Sequence, residues 1–110
     1  LPDEPAERVM SVFATMTDAP ESLIHGDPGQ SNIRIDDSGR VWLLDWDESR
    51  VDVTWHDLSS LDTDLVGRGI LTTDQRRRAI ALSHAWEALN GWVAEPEYAR
   101  RRLAALAESR

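Results

Sequence analysis

Residues 23–47 read LIHGDPGQSNIRIDDSGRVWLLDWD, and this segment carries the strongest local signals in the chain. Ile33 and Ile35 alternate with polar neighbours, as residues of a short half-buried strand do, and an apolar run follows at 41–44. The sequence DDSG at 36–39 lies between the two runs and is a strong turn signal, because Asp, Ser and Gly favour turns. Residues 32–45 are therefore predicted to form a β-hairpin.

Polar side chains lie on both sides of this predicted hairpin. Asp27 and Asn32 precede its strands, and Asp45 follows them. A polar residue at the end of an apolar strand lowers stability unless it is hydrogen-bonded or used. Because a hairpin returns the chain to its starting point, it brings Asp45 back beside the loop that holds Asp27 and Asn32. Two carboxylates and an amide oxygen suit Mg²⁺, which usually takes one or two carboxylates together with water and substrate phosphates.

The rest of the chain has the periodicity of helices. The predicted helices run over residues 3–17 with Asp3 as the cap, over 55–69, over 72–90 with a cap offered by residues 72–74 and Gly91 as the stop, and from about residue 96 onward. The inner stripe of the long helix is predicted to be Ala79, Leu82, Ala85, Trp86 and Leu89. Residues 46–54 are polar and are predicted to be irregular.

These elements predict an α+β fold that is mainly α, with one domain over residues 1–110. A helical bundle would surround a central β-hairpin that carries the polar loops. Most of the five Trp residues are expected in the core, including Trp42 on its strand and Trp86 on its helix. Trp46 is different, because it lies between two Asp residues at a strand end.

Composition excludes several classes of function. The chain has 20 acidic and 12 basic residues and a net charge of -8, which argues against binding to a nucleic-acid backbone. It has no cysteine, so disulfides, thiolate nucleophiles and Cys-based zinc sites are excluded. Every basic residue is Arg, so a mechanism that needs a Lys on a nucleotide phosphate is not complete within this chain. No long apolar segment or leader is evident, and a cytoplasmic location is expected.

Three motifs in order give the chain a family resemblance. His25, Gly26 and Asp27 with Asn32 match the pattern H-G-D-x-x-x-x-N, and Asp45 lies in the triplet LDW. The sequence HDLS at 56–59 follows at the start of a predicted helix. This succession closely resembles the aminoglycoside phosphotransferase family, also called the phosphotransferase enzyme family, and is similar to the C-terminal lobe of a protein kinase.

The resemblance implies a role for each matched residue. Asp27 would accept the proton of the acceptor hydroxyl, or at least orient that hydroxyl. Asn32 and Asp45 would hold the Mg²⁺ ions that bridge the phosphates of ATP. His25 would pack and hydrogen-bond beneath the loop, and Asp57 would accept hydrogen bonds from the loop backbone. Both would support the loop without taking part in the chemistry.

Two interpretations of Asp47 remain open, an assisting metal ligand and a solvated loop carboxylate, and the second is favoured.

The implied partners are a nucleotide and a small-molecule alcohol, with no nucleic acid and no membrane. The implied enzyme also needs an N-terminal lobe with a Gly-rich loop and a strand Lys. The sequence GRG at 67–69 does not extend to such a loop. The chain is therefore expected to be the C-terminal lobe alone and to be inactive in isolation.

Alternatives remain beside this interpretation. The chain could be a truncated or degenerate kinase-like module that only binds, or a structural domain whose acidic residues are caps and turn formers. A metallophosphoesterase needs further His ligands, and only His56 and His84 remain for that role. An EF-hand is excluded, because Arg50 stands where the loop counted from Asp45 requires glycine. The Arg runs at 76–78 and 100–102 are expected to be solvated helix faces.

Overall fold

The computed structural model describes residues 1–61 and 63–108 of the chain. Helices and strands alternate irregularly along it. In chain order they are α1 (Asp3–Ala14), β1 (Glu21–Ile24), a 3₁₀ turn (Gln30–Asn32), β2 (Ile33–Ile35), β3 (Val41–Leu43), β4 (Arg50–Val53), α2 (Trp55–Ser59), α3 (Thr73–Gly91) and α4 (Pro96–Glu108). They divide into two compact units, residues 1–18 with 65–110, and residues 19–64.

The first unit consists of α1, α3 and α4. The start of α3 is fixed by a reciprocal pair of hydrogen bonds, in which the Gln75 amide donates to Thr72 Oγ1 (3.1 Å) and the Thr72 amide donates to Gln75 Oε1 (2.9 Å). Such a capping box satisfies backbone donors that a helix leaves unpaired at its first turn. The predicted cap at residues 72–74 is thus confirmed, as is the helix that begins near Pro96.

Small side chains make the core of this unit. The buried cluster consists of Val9, Ala85, Ala88, Leu103 and Leu106. Ala88 belongs to it in place of Leu89, which is 41% exposed, so the predicted inner stripe is wrong at that position. Three alanines of α3 and one of α4 are fully or almost fully buried, and such short side chains let helix backbones approach closely.

The second unit consists of two ribbons of two antiparallel strands and the short helix α2. The predicted hairpin is confirmed, with Ile33 opposite Leu43 and Ile35 opposite Val41. The other ribbon was not predicted. It pairs β1 with β4 and sets Leu23 opposite Val51, so the expectation of irregular structure over 46–54 is wrong for 50–53.

Four further predictions are corrected by the structure. Helix α1 ends at Ala14, before the predicted end at 17, and Asp3 lies in its first turn and does not cap it. Helix α2 ends at Ser59, well before the predicted end at 69, and its last turn closes with hydrogen bonds from the Ser60 and Leu61 N–H groups to carbonyls three residues earlier (3.3 and 3.2 Å). Trp55 is the one Trp of the five that is buried, Trp86 is only half-buried, and Trp42 is 48% exposed, so most Trp residues do not lie in the core.

Both ribbons expose apolar side chains. Leu23 and Val51 face each other across one ribbon and are 71% and 70% exposed, and Ile35 and Val41 do so across the other at 70% and 60%. No helix in the described part of the chain is long and apolar enough to cross a membrane.

Candidate active site

The loop that follows β1 is tied to α2 by a single carboxylate. The backbone N–H of His25 donates to Asp57 Oδ2 (2.7 Å), and the N–H of Gly26 donates to Asp57 Oδ1 (2.9 Å). Hydrogen bonds with an ionised acceptor are stronger than neutral ones, and these two use both oxygens of one side chain. Asp57 therefore fixes the point at which the chain leaves β1 and turns into the loop.

Gly26 has a conformation and an environment that require glycine. Its φ is +95°, in the left-handed region that L side chains rarely adopt. A Cβ at this position would lie 2.8 Å from the carbonyl carbon and the Cβ of Glu48, and closer still to the carbonyl oxygen of Glu48. The loop thus passes directly against the backbone of the segment that follows Asp45.

His25 connects the two loops that carry the candidate catalytic and metal residues. Its Nδ1 accepts a hydrogen bond from the backbone N–H of Asp27 (3.1 Å), which places the ring proton on Nε2. That Nε2–H donates to the carbonyl oxygen of Leu44 (2.7 Å), the residue before Asp45. The ring of Trp46 packs edge-on against the imidazole, with 4.6 Å between centroids. The imidazole, which is buried, therefore joins the backbone of Asp27 to the strand that leads to Asp45.

Asp27 and Asn32 are in direct contact. The Asn32 Nδ2 amino group donates to the backbone oxygen of Asp27 (2.8 Å) and to its side-chain oxygen Oδ2 (3.1 Å). Because the amide nitrogen is used in this way, the Asn32 Oδ1 oxygen remains the atom available to a cation. The Asp27 side chain is exposed, as a group that receives a substrate must be.

Asp45 is held next to Asn32 through the backbone. The Leu44 N–H donates to the carbonyl oxygen of Asn32 (2.8 Å), directly before Asp45. Asp45 itself has a φ of 58° and is the only described residue other than glycine with a positive φ. Such backbone strain concentrates at functional sites. The Asp45 carboxylate is exposed and accepts a long contact from the Asp47 N–H (3.4 Å), and Asp47 is exposed as well.

The oxygen atoms of Asn32 and Asp45 fit Mg²⁺ better than they fit a metal ion whose ligands all come from the protein. Within residues 1–61 and 63–108, no three side chains of His, Asp or Glu converge as a metal-binding group. Mg²⁺ is usually bound through one or two carboxylates plus waters and substrate phosphates. The Asp45 carboxylate and the Asn32 Oδ1 amide oxygen are hard oxygen donors of the type that such a site uses.

Sequence reasoning did not identify a set of interacting polar side chains on β4 and at the start of α2. Arg50 and Asp52 form an ion pair (Nε to Oδ2, 2.9 Å), and His56 Nε2 lies 3.5 Å from the same oxygen. Burial lowers the pKa of His56, against the opposing charge of Asp52. Burial alone would raise the pKa of Asp52, but the hydrogen bonds from Arg50 and from the Val53 N–H bring it below its ordinary value. The alternation R-V-D-V was a signal for this pair, because residues two apart in a strand share a face.

A cavity of about 250 Å³ adjoins the loop after Asp27. Its described lining comes from that loop and from the segment after α2, and consists of Pro28, Gln30, Ile33, Ser60, Leu61 and Thr63.

Comparisons with known proteins identify the family and the fold of the chain. A family model described as "Phosphotransferase enzyme family" matches residues 1–106. The choline kinase LicA from Streptococcus pneumoniae has a similar structure, with a TM-score of 0.74 and 16% sequence identity, over 96% of this chain and 46% of that one. A structure of LicA in complex with AMP gives a TM-score of 0.72 at 16% identity, over 96% of this chain and 45% of that one.

The similarity to solved structures concerns the fold, which is kinase-like. The chain spans less than half the length of the LicA chains that it matches. No curated protein matches it in sequence.

Proposed function

Because the chain belongs to the phosphotransferase enzyme family, we propose that it is the catalytic and acceptor-binding lobe of a kinase-like enzyme. The enzyme would transfer the γ-phosphate of ATP to a hydroxyl group of a small molecule. The observation that carries this proposal is the set of contacts that joins the Asp27 loop, Asn32 and the strand before Asp45 within one compact unit.

In this mechanism Asp27 is the residue that faces the acceptor hydroxyl. The Asn32 amino group holds one carboxylate oxygen of Asp27, so the other oxygen is oriented to accept the proton of the alcohol. His25 keeps the Asp27 backbone in place through its Nδ1. Positioning of this kind is the main contribution that a protein makes to phosphoryl transfer.

Asn32 Oδ1 and the Asp45 carboxylate are the groups that would hold Mg²⁺. When bound there, Mg²⁺ would supply positive charge against the negative charge that develops on the phosphate oxygens. The backbone hydrogen bond from Leu44 to Asn32 (2.8 Å) and the positive φ of Asp45 support this assignment, because the residue before Asp45 is bonded directly to Asn32.

The nucleotide would be held mainly by a lobe that the chain does not contain. Kinases of this kind use a Lys on the nucleotide phosphates, and this sequence has no Lys. The AMP complex of LicA supports nucleotide binding by the fold. We therefore assign turnover to the complete two-lobed enzyme and none to the isolated chain.

The central test is the Asp27→Asn substitution in the full-length protein. Turnover is expected to fall by about 10²- to 10⁴-fold, the usual contribution of a general base, while the thermal melting curve is unchanged. The matched control is Asp37→Asn, which removes one exposed carboxylate at the hairpin turn. Unchanged turnover in Asp27→Asn would refute the assigned role.

A second test concerns the metal ligands. Asp45→Ala is expected to abolish metal-dependent nucleotide binding in a calorimetric titration with Mg·ATP, because it removes the only carboxylate assigned to the ion. A normal titration in this variant would contradict the assignment. The acceptor itself is best found by assaying the full-length protein with a panel of aminoglycosides, macrolides, choline, homoserine and sugars.

The absence of Lys also favours a second candidate, a degenerate module that folds and binds without transferring phosphate. The coding sequence upstream of Leu1 separates the two. A Gly-rich strand-turn-strand followed by a strand with Lys supports the enzyme, and a stop codon or an unrelated domain supports the module.

A further inference from the structure

Gly26 belongs to a closed series of side-chain and backbone contacts. None of the residues in this series is assigned to catalysis or to metal binding. Its first part is the ion pair of Arg50 and Asp52, in which Arg50 Nε donates to Asp52 Oδ2 (2.9 Å). The two side chains are 24% and 26% exposed, so solvent screens them less than it screens an open surface pair. Asp52 is fixed further, because its Oδ1 accepts the backbone N–H of Val53 (2.7 Å).

The second part of the series reaches the segment after Asp45. Arg50 Nη1 donates to the carbonyl oxygen of Glu48 (2.8 Å). That same carbonyl lies directly against Gly26, where it occupies the space that a Cβ on Gly26 would need. Arg50 thus holds the backbone of the 46–49 segment against the backbone of the Asp27 loop.

The third part returns through α2. His56 Nε2 lies 3.5 Å from Asp52 Oδ2, and the next residue, Asp57, accepts the N–H groups of His25 and Gly26. The series therefore closes on itself, and its members in order are Gly26, Glu48, Arg50, Asp52, His56 and Asp57.

We propose that Arg50 and Asp52 are positioning residues of the phosphotransfer site, which set the spacing between the loop of Asp27 and the segment that follows Asp45. Arg suits this task because its planar guanidinium presents several N–H groups in a fixed geometry and can bind a carboxylate and a carbonyl together. Arg50→Lys keeps the charge but has one compact ammonium group for both partners. The role of these two residues in catalysis rests on the proposed function. Their contacts can be tested by a measurement that needs no enzymatic activity.

The direct test is amide hydrogen exchange of the 110-residue chain, followed by NMR. In Asp52→Asn and Arg50→Lys, the amides of His25 and Gly26 are expected to exchange at least about 10-fold faster, equivalent to about 1.4 kcal/mol of local opening. The amides of the β2–β3 hairpin, in the same unit, are expected to keep their rates. The control is again Asp37→Asn, which removes a carboxylate outside the series.

Two results would overturn the proposal. One is unchanged exchange at His25 and Gly26 in both variants. The other is equal acceleration across the hairpin and the loop, which indicates a general loss of stability. If Asp52→Asn fails to fold, Arg50→Lys gives the same comparison with the charge retained.

The second readout uses the full-length enzyme and separates this proposal from the proposed function. Arg50→Lys is expected to lower kcat about 10-fold or more, as changes around metal ligands do, and higher Mg²⁺ is expected to restore part of it. A wild-type protein without activity would refute the proposed function and leave the exchange result as the test of the contacts. An active enzyme in which Arg50→Lys has wild-type kcat and Mg²⁺ dependence would refute the positioning role alone.

Discussion

Replacement of Gly26 by alanine tests the closest approach in the candidate site. Two separate penalties apply at this position. The first is conformational, because a φ of +95° places a Cβ too near the backbone, at about 1–2 kcal/mol for a left-handed L residue. The second is steric, because the new Cβ would overlap the Glu48 carbonyl, and overpacking of this kind destabilises by about 1–3 kcal/mol. The sum predicts that Gly26→Ala lowers the free energy of unfolding by about 2–5 kcal/mol.

Two other glycines separate these penalties. Gly39 has a φ of +83° and open space around its Cβ position, so Gly39→Ala measures the conformational penalty alone. Gly29 has a φ of -67° and no atom within 4 Å of a Cβ, so Gly29→Ala carries neither penalty. It is expected to be neutral or to stabilise by about 0.4–1 kcal/mol, since alanine restricts the unfolded chain.

The assay is urea unfolding of the four proteins, followed by circular dichroism and by tryptophan fluorescence. If the transitions seen by the two probes coincide, unfolding is two-state and a free energy of unfolding can be calculated from it. The expected order of stability is Gly29→Ala at or above wild type, then Gly39→Ala, then Gly26→Ala. If Gly26→Ala costs no more than Gly39→Ala, the contact with Glu48 does not constrain the loop and the reasoning fails.

Three further predictions concern single side chains. Asp57→Ala is expected to destabilise the chain more than Asp27→Ala in urea unfolding, by about 1–3 kcal/mol for each backbone donor left unpaired, and equal midpoints would contradict this. Hydrogen bonds from the Ser38 hydroxyl and then from the Trp42 indole lower the pKa of Asp36 to about 2, so these bonds are complete above the unfolded pKa of 3.8 and are lost as the pH falls through about 2. The indole N–H resonance of Trp42 is expected to titrate with that midpoint, and a midpoint near 4 would refute the contact. Thr72→Ala is expected to lower stability by about 1 kcal/mol in the same urea assay through loss of the α3 cap, and an unchanged midpoint would show that the cap does not contribute.

The elements that could be predicted from the sequence are those whose structure is determined by one short segment. The hairpin followed from the turn at 36–39 and from the alternation around Ile33 and Ile35, and the long helix followed from its cap at Thr72. The β1–β4 ribbon could not be predicted in this way, because its strands have four residues each and are distant in the chain. Its pairing depends on tertiary contacts that no local pattern encodes.

The candidate site was predictable in part. The spacing of Asp27, Asn32 and Asp45 around a hairpin was enough to expect them at one place. The two hydrogen bonds of the His25 ring to the backbone of Asp27 and of Leu44 could not be predicted from the sequence. They depend on which ring nitrogen lies against which backbone group. Arg50 and Asp52 were missed because residues 46–54 were predicted to be irregular, and the two side chains share a face only if 50–53 is a strand.

The two ribbons have a consequence for how the chain behaves in solution. Over residues 1–61 and 63–108, each ribbon is two strands wide, so every strand has one edge that pairs with no other strand. Exposed edges with apolar neighbours such as Leu23 and Val51 promote self-association. The net charge of -8 opposes that association by mutual repulsion, which salt screens over a distance of about 10 Å at 0.1 M. The chain is therefore expected to stay dispersed in dilute buffer and to self-associate as ionic strength rises.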